Sequence, residues 1–326
     1  MTKKSEPKSE AKAKAEAKKV NPRVAKPKFR SATVAILGRP NAGKSTLLNR
    51  FVGQKLAIVS DKPQTTRHRI VGVRNTPGAQ MVFIDTPGIH KPMHRMNRRM
   101  VSTATDTLRE VDVVVLVVDA SIPPGHGDRF VLDLIKSAEG GVVLALNKID
   151  SMPKAKLLPL IESYAHAGEF KAIVPLSALG GEGVDTLEKE IIAALPEGDA
   201  LYDNDYLTDQ TQRVLAAELI REKVLRHTRD ELPYTTAVMI EQFQEPDGDS
   251  AVTRIFASIL VDHDSQKPIV IGKGGEMIKR IGTEARKDLE EMLDGRVFLD
   301  LHVKVREDWR DDERILREIG IGKPVE

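Results

Sequence analysis

The sequence predicts two folded domains, a doubly wound α/β domain followed by a smaller α+β domain. Its 326 residues, of which 40% are hydrophobic and 30% charged, are enough to bury two cores of ordinary size. From residue 31 onward short apolar runs alternate with helical patterns, and after about residue 200 this alternation stops. We therefore expect a first domain at 31–197, a linker at 198–206 and a second domain at 207–326.

The first domain has five apolar runs with the composition of strands buried on both faces, because β-branched residues follow one another without polar alternation. They occupy 32–37, 81–85, 111–119, 141–147 and 171–177. The helical segments between them suit right-handed crossovers, which join parallel strands. The pattern therefore predicts an open parallel sheet with helices on both faces.

The second domain begins with a long helix at about 208–230, followed by strand patterns at 235–243 and 251–262. The turn-rich sequence PDGDS separates these strands. A short apolar segment, a glycine loop, a helix and the strand RVFLDLHVKV complete the order. Trp309 and the apolar residues after it are expected to dock a terminal helix.

The net charge of +2 is the sum of unlike parts. Residues 1–30 hold 11 basic and three acidic side chains, residues 31–200 hold 20 and 18, and residues 201–326 hold 19 and 27. The first of these segments has too few apolar residues to offset its ordering entropy. We therefore expect residues 1–30 to form a disordered basic tail.

The chain contains no cysteine, which excludes a disulfide framework, a thiolate metal site and a cysteine nucleophile. It has no apolar run near the roughly 18 residues that a membrane span needs. Its N-terminal segment also lacks the apolar core of a secretory signal. We therefore expect a cytoplasmic protein.

A glycine-rich motif follows the first predicted strand and opens a helix. Residues 38–45 match G-x-x-x-x-G-K-S in the strand, loop and helix context that this phosphate-binding pattern requires. Backbone N–H groups and the helix N-terminus of such a loop attract phosphate oxygens. Lys44 is expected to reach the β- and γ-phosphates, and the Ser45 hydroxyl is expected to bind Mg²⁺.

Three further motifs end predicted strands, where an open α/β sheet binds its ligands. Asp85 begins the sequence DTPG and can hold the Mg²⁺ shell. Asp150 ends the sequence NKID, and its carboxylate can accept both the ring N–H and the exocyclic amine of guanine, a donor pair that adenine lacks. Ser177-Ala178 can place a backbone N–H on the guanine oxygen. The site is therefore expected to select GTP over ATP.

The residues expected to contact the nucleotide are Gly38, Arg39, Pro40, Asn41, Ala42, Gly43, Lys44, Ser45, Thr46, Asp85, Thr86, Pro87, Gly88, Ile89, Asn147, Lys148, Ile149, Asp150, Ser177 and Ala178. The polar stretch before Asp85 supplies the threonine that a γ-phosphate switch needs, and we assign Thr66 to this role with Thr65 as the alternative. The predicted cofactor is Mg²⁺ with GTP or GDP, held by Ser45 and Thr66, with Asp85 in its outer shell. A segment held only by such contacts is released on hydrolysis.

The residue after DTPG is Ile89, at the position where Ras-type enzymes place a glutamine that orients the attacking water. An aliphatic side chain cannot orient water, so we expect slow intrinsic hydrolysis, on the order of 10⁻⁴–10⁻² s⁻¹. Arg67, Arg69 and Arg95 are close enough in sequence to be considered as an internal arginine finger.

A second glycine loop is a candidate RNA-binding site. A G-x-x-G loop before a basic helix lets a nucleic-acid backbone approach closely, although a simple helix-start turn has the same sequence. The surrounding order of helix, strand, strand, loop, helix and strand favours RNA binding, because it resembles a KH domain of the prokaryotic type. The candidate residues are Gly272, Lys273, Gly274, Gly275, Lys279 and Arg280.

The motifs GRPNAGKS, PQTTRHR, DTPG, NKID and SAL resemble those of the translation-factor-related GTPases. With ELPY at 231–234 and the VIGKGG loop, residues 31–320 are similar to the Era family of ribosome-assembly GTPases. This resemblance implies a P-loop GTPase domain followed by a KH domain of the prokaryotic type. It also implies GTP hydrolysis and binding to the single-stranded 3′ region of small-subunit (16S) rRNA during 30S ribosomal subunit assembly and rRNA maturation.

The resemblance further implies peripheral association with the inner face of the cell membrane, and the basic tail is a candidate for contact with rRNA or with that anionic surface. We expect a monomer. Two other functions stay open. One is an RNA-binding scaffold in which GTP only orders the protein, and the other is a membrane-associated signalling GTPase in which hydrolysis is incidental.

Overall fold

The computed structural model describes residues 28–62, 65–88, 95–136, 138–247 and 251–321. The tail predicted at 1–30 lies outside the described residues except for its last three positions. Among the described residues, no helix is long and apolar enough to pass through a lipid bilayer.

The first sheet contains six strands in the order β2-β3-β1-β4-β5-β6. Their bounds are β1 Arg30–Leu37, β2 Ile70–Thr76, β3 Ala79–Asp85, β4 Val113–Asp119, β5 Gly141–Asn147 and β6 Ala172–Pro175. Five strands are parallel, as predicted, but β2 is antiparallel to β3. The prediction of a purely parallel sheet was therefore wrong at this edge, where a short turn containing Gly78, at φ 87°, joins two antiparallel strands.

Five helices cover the two faces of this sheet. They are α1 Lys44–Val52, α2 Arg95–Glu110, α3 His126–Ile135, α4 Leu157–Ala167 and α5 Val184–Ala194. One core joins α1 and α5 to the strand face that includes Val34, and a second core joins α2, α3 and α4 to the face that includes Ala35. Helices on both faces leave the carboxyl ends of the central strands open for a ligand.

The second sheet contains three strands in the order β7-β8-β9, with β7 antiparallel and β9 parallel to β8. The elements of this part are α6 Gln212–His227, α7 Leu232–Thr235, β7 Ala237–Gln244, β8 Val252–Val261, α8 Lys267–Ile271, α9 Glu276–Met292, β9 Arg296–Val305 and α10 Glu313–Glu318. Helices α6 and α9 share one core with the sheet. The predicted helix at 208–230 begins later, because Thr211 caps α6 and the Thr208 hydroxyl bonds to the Val71 carbonyl.

A small separate core joins the two parts of the chain. Trp309 is fully buried, and its indole Nε1–H donates to the Thr235 carbonyl at 2.9 Å. Leu316 of α10 packs in the same cluster with Met96 and Met100 of α2. The terminal helix is therefore docked as predicted, but it also contacts the first helix after the DTPG motif.

Candidate functional site

The phosphate loop leaves β1 and enters α1 through two glycines that no larger residue can replace. A Cβ on Gly38, at φ 153°, would lie 2.2 Å from the Val117 carbonyl oxygen. A Cβ on Gly43, at φ 96°, would lie 2.1 Å from the Asn147 amide nitrogen. That amide donates to the Ala42 carbonyl at 2.7 Å and accepts from the Ala178 N–H at 2.8 Å. Asn147 therefore holds the phosphate loop and the SAL loop together.

Three predicted metal-site residues meet at the carboxyl end of β3. The Ser45 hydroxyl oxygen lies 2.7 Å from that of Thr66 and donates to Asp85 Oδ2 at 2.8 Å. Thr66 Oγ1 lies 3.5 Å from the same carboxylate oxygen. Thr65, by contrast, donates to the Lys62 carbonyl at 2.5 Å. The geometry favours Thr66 over Thr65 as the switch threonine.

The charges at this end fit a metal ion and a phosphate chain. Asp85 is fully buried, and its Oδ1 has no hydrogen-bond partner among the described residues. Burial raises the pKa of Asp85 to about 6, against the opposing charge of Lys44. Burial also lowers the pKa of Lys44, whose Nζ donates to the Arg39 carbonyl at 3.1 Å. A bound cation beside Asp85 and an anion beside Lys44 would stabilise both charged forms.

The base-recognition end differs because its carboxylate is exposed. Asp150 lies in a short 3₁₀ turn, and hydrogen bonds from Ser177 and Ser151 lower its pKa. It is therefore ionised and accepts hydrogen bonds only, as the two guanine donors require. Lys148 adopts a left-handed backbone, φ 68°, and donates to Asp119 Oδ2 at 2.6 Å, which fixes the motif against β4.

A cavity of about 390 Å³ joins these two ends. Twelve predicted residues line it: Asn41, Gly43, Lys44, Ser45, Thr46, Thr65, Thr66, Gly88, Asn147, Lys148, Asp150 and Ala178. Other predicted residues hold the motif loops to the rest of the domain. Arg39 pairs with Asp128 of α3 at 2.8 Å, and Thr86 donates to the Ile36 carbonyl at 3.1 Å. Ile89 lies outside the described residues.

One wall of the cavity was missed by the sequence reasoning. Ile58, Val59, Ser60 and Asp61 line it. The side-chain amide of Asn41 donates to the Asp61 carbonyl at 2.5 Å. A residue of the phosphate loop thus holds a segment that carries no motif of its own.

Arg67 belongs to the contact between the two parts of the chain. Its buried guanidinium donates to the carbonyls of Thr236 at 2.8 Å, Pro233 at 3.2 Å and Tyr234 at 3.4 Å. It also lies 5.5 Å from the centre of the Trp309 ring. In this conformation Arg67 is therefore not placed as an arginine finger.

The second glycine loop is exposed between α8 and α9. Gly272, at φ 76°, must be glycine because a Cβ there would lie 2.6 Å from the Met277 Cβ. Gly274 and Gly275 also have positive φ, but a Cβ added to either would have no atom within 4 Å. Lys273, Lys279 and Arg280 are exposed beside them. A backbone free of side chains, flanked by cations, suits the approach of a nucleic-acid backbone.

Comparisons with known proteins agree with both halves of this description. A family model described as a 50S ribosome-binding GTPase matches residues 33–148, and a KH domain model matches residues 231–310. GTPase Era of Geobacter metallireducens is 50% identical over 292 residues, which cover 90% of this chain and 98% of that protein. The chain belongs to the Era family of GTPases.

Further relatives support the same assignment. GTPase Era of Syntrophus aciditrophicus is 48% identical over 90% of this chain and 95% of its own length. A crystal structure of an Aquifex aeolicus Era variant bound to GDP·AlF₄⁻ is 40% identical, with a TM-score of 0.87 over 90% of this chain and all of that one. A structure of Era with MgGDPNP and nucleotides 1506–1542 of 16S ribosomal RNA is 41% identical, with a TM-score of 0.88 and the same coverage.

Membership in the Era family confirms the predicted fold class, a P-loop GTPase domain followed by a KH domain of the prokaryotic type. It also confirms the predicted reaction. This Era-family protein hydrolyses GTP to GDP and phosphate and uses Mg²⁺.

Proposed function

We propose that this Era-family GTPase is a GTP-driven switch that binds the single-stranded 3′ region of 16S rRNA and assists 30S subunit assembly and rRNA maturation. The Era complex with a GTP analogue and nucleotides 1506–1542 of 16S rRNA supports the RNA target, since that structure matches 90% of this chain. The exposed loop at 272–275 supports the same assignment.

In this proposal the GTPase domain spans 31–197, the linker 198–206 and the KH domain 207–326. Ser45 and Thr66 would hold Mg²⁺, with Asp85 orienting both hydroxyls through the bonds described above. The ion supplies positive charge to the β- and γ-phosphates when bound. Lys44 binds the same phosphates, and Asp150 accepts the two guanine hydrogen bonds.

One observation supports a coupling between the nucleotide state and the KH domain. Thr66 stands between two residues that are bound to the KH domain, because Arg221 of α6 donates to the Thr65 carbonyl and Arg67 donates to carbonyls at 233–236. A movement of Thr66 on loss of the γ-phosphate would therefore strain both contacts. This is the physical link between hydrolysis and the RNA-binding part.

The remaining partners follow from this role. The protein acts on the 30S subunit as a monomer in the cytoplasm. Its basic tail contacts the anionic inner face of the cell membrane, so that the protein associates with this membrane peripherally. The charge of the tail, with 11 basic and three acidic side chains in residues 1–30, supports this contact.

Binding of a fluorescent 3′-end 16S RNA oligonucleotide, measured with GTP analogue and with GDP, tests the proposal. Gly274→Asp adds a negative charge to the open loop and is expected to weaken binding at least tenfold, about 1.4 kcal/mol. Gly78→Asp is the matched control, since it also has positive φ, 87°, with nothing within 4 Å of the added Cβ. Equal RNA affinity in both variants would overturn the assigned RNA site.

The same RNA measurement also tests the switch. Equal RNA affinity with GTP analogue and with GDP would overturn the coupling. A Thr66→Ala variant that binds GTP without hydrolysing it, yet supports full subunit maturation in cells, would favour an RNA-binding scaffold instead.

A further inference from the structure

Four charged side chains connect the loop after α1 to both long helices of the KH domain. Lys55 Nζ lies 2.7 Å from Glu222 Oε2 of α6 and 2.9 Å from Asp288 Oδ2 of α9. Lys223 of α6 pairs with the same two carboxylates, at 3.1 Å from Glu222. Two cations and two carboxylates thus form a closed ring of ion pairs across the contact between the domains.

The half of the ring on α6 is buried. Glu222 and Lys223 are 3% and 2% exposed. Burial raises the pKa of Glu222, but the hydrogen bonds from Lys55 and from the Val59 N–H outweigh it and keep that pKa below its ordinary value. A buried charge that loses one partner is strongly destabilised. Separating Lys55 or Asp288 from this buried pair would therefore be costly.

One end of the ring reaches the nucleotide cavity. Glu222 Oε1 accepts from the Val59 backbone N–H at 3.0 Å, and Val59 lines the cavity. The neighbouring residue of α6, Arg221, donates to the Thr65 carbonyl. Two consecutive residues of α6 thus hold two residues that line the cavity, Val59 and Thr65.

The other end reaches the RNA loop. Asp288 is on α9, which begins directly after Gly275. At a rise of 1.5 Å per residue, Asp288 is about 18 Å along the helix from the loop. The exposed cations Lys279, Arg280, Arg286 and Lys287 lie on the stretch between them. An RNA that draws α9 toward its backbone would displace Asp288 with the helix.

We propose that Asp288 and Glu222 are positioning residues that couple RNA bound at α9 to the wall of the nucleotide cavity at Val59. The inference rests on the proposed function, since it assumes that RNA binds the 272–275 loop and α9. Linkage requires the effect to be reciprocal, so the nucleotide state favoured by RNA also strengthens RNA binding by the same factor.

The test measures the dissociation constant of a fluorescent GTP analogue with and without saturating 3′-end 16S RNA oligonucleotide. Their ratio is the coupling factor, expected at about 5–150 in the native protein. Asp288→Asn and Lys55→Met are expected to bring the factor to within about twofold of 1 while changing the affinity for analogue alone less than threefold. Lys55→Arg restores the ion pairs and is expected to keep the coupling, and Glu291→Gln, an exposed carboxylate on the same helix, is the matched control.

The outcomes distinguish a failure of the proposed switch from a failure of the role assigned to Asp288 and Glu222. A native coupling factor of 1 would contradict the proposed switch. A native factor above 5 that persists in Asp288→Asn and Lys55→Met would overturn the inference alone. If Asp288→Asn fails to fold, Lys55→Met decides, because this lysine is 41% exposed and the fold depends less on it.

Discussion

Replacing Arg67 with methionine tests whether the switch segment is fixed to the KH domain. Methionine is unbranched like arginine but lacks the guanidinium. In the native protein this group donates hydrogen bonds to the carbonyls of Pro233, Tyr234 and Thr236. The substitution also removes the cation from above the Trp309 ring. Both changes weaken the contact between the two domains, and Arg67 is not among the residues that line the nucleotide cavity.

The magnitude follows from two opposing effects. Hydrogen bonds from a charged donor contribute about 1.5–3 kcal/mol each. Burial, followed by repulsion from Arg221, lowers the pKa of Arg67 to about 9, which shows that desolvation cancels part of this gain. The Arg67 Nε–H also has no hydrogen-bond partner within the described part of the chain. We therefore expect a net loss of about 3 kcal/mol, close to that of one such hydrogen bond, or roughly a hundredfold in the docking equilibrium.

The protein contains its own probe for this experiment. Trp309 is the only tryptophan in the sequence, and it is buried beside Arg67. Arg67→Met is expected to shift tryptophan emission to longer wavelength, increase quenching by acrylamide and lower the urea concentration at which emission changes. Arg69→Met is the control, since Arg69 is an exposed arginine two residues away. Identical emission and urea midpoints for the two variants would refute the assigned contact.

Three further predictions concern the nucleotide site. Asp150→Asn replaces an acceptor with a donor and is expected to weaken GTP binding by about 1–3 kcal/mol while improving binding of xanthosine triphosphate, as competition binding would show. Gly43→Ala forces a Cβ onto the Asn147 amide and is expected to abolish nucleotide binding and lower the melting temperature, whereas Gly78→Ala leaves nucleotide binding intact. The pKa of Asp85 in the folded, nucleotide-free protein is about 6, above its ordinary value of 3.8. Protonation of Asp85 therefore stabilises the folded state below pH 4. Up to about 3 kcal/mol of this free energy of unfolding is lost as the pH rises to 6. Mg²⁺-dependent nucleotide binding is expected to weaken as the pH falls below 6, and titrations on Asp85→Asn that show the same pH dependence would contradict this assignment.

Local patterns predicted most of the first sheet, but they missed β2. Gly72 interrupts its apolar run, and its role is visible only in three dimensions. A Cβ at Gly72 would lie 2.8 Å from Val52 Cγ2, so glycine allows α1 to pack closely on this strand. Since α1 and β2 are separate in sequence, no local pattern shows that requirement.

The cavity residues of the candidate phosphate loop and guanine motif could be predicted because the chemistry of such motifs depends on fixed spacing along the chain. The wall at 58–61 could not be, because distant residues position it. Val59 is bound by a carboxylate 163 residues away. Arg67 is a similar case, since its candidacy as an arginine finger rested on sequence proximity, whereas its partners lie 166 to 169 residues further on. Long-range partners of this kind leave no mark in residue type.

The contacts around Thr66 explain how hydrolysis at the proposed switch could affect the proposed RNA site on the KH domain. Thr65, Thr66 and Arg67 are consecutive, so neighbouring Cα atoms are only 3.8 Å apart. Thr66 contacts Ser45 of the proposed metal site, and both of its neighbours contact the KH domain. Thr66 cannot move by much more than this spacing unless at least one of those contacts lengthens or the KH domain moves with it. Close packing at Trp309 resists gradual lengthening, so two discrete arrangements of the domains are expected rather than a continuous range.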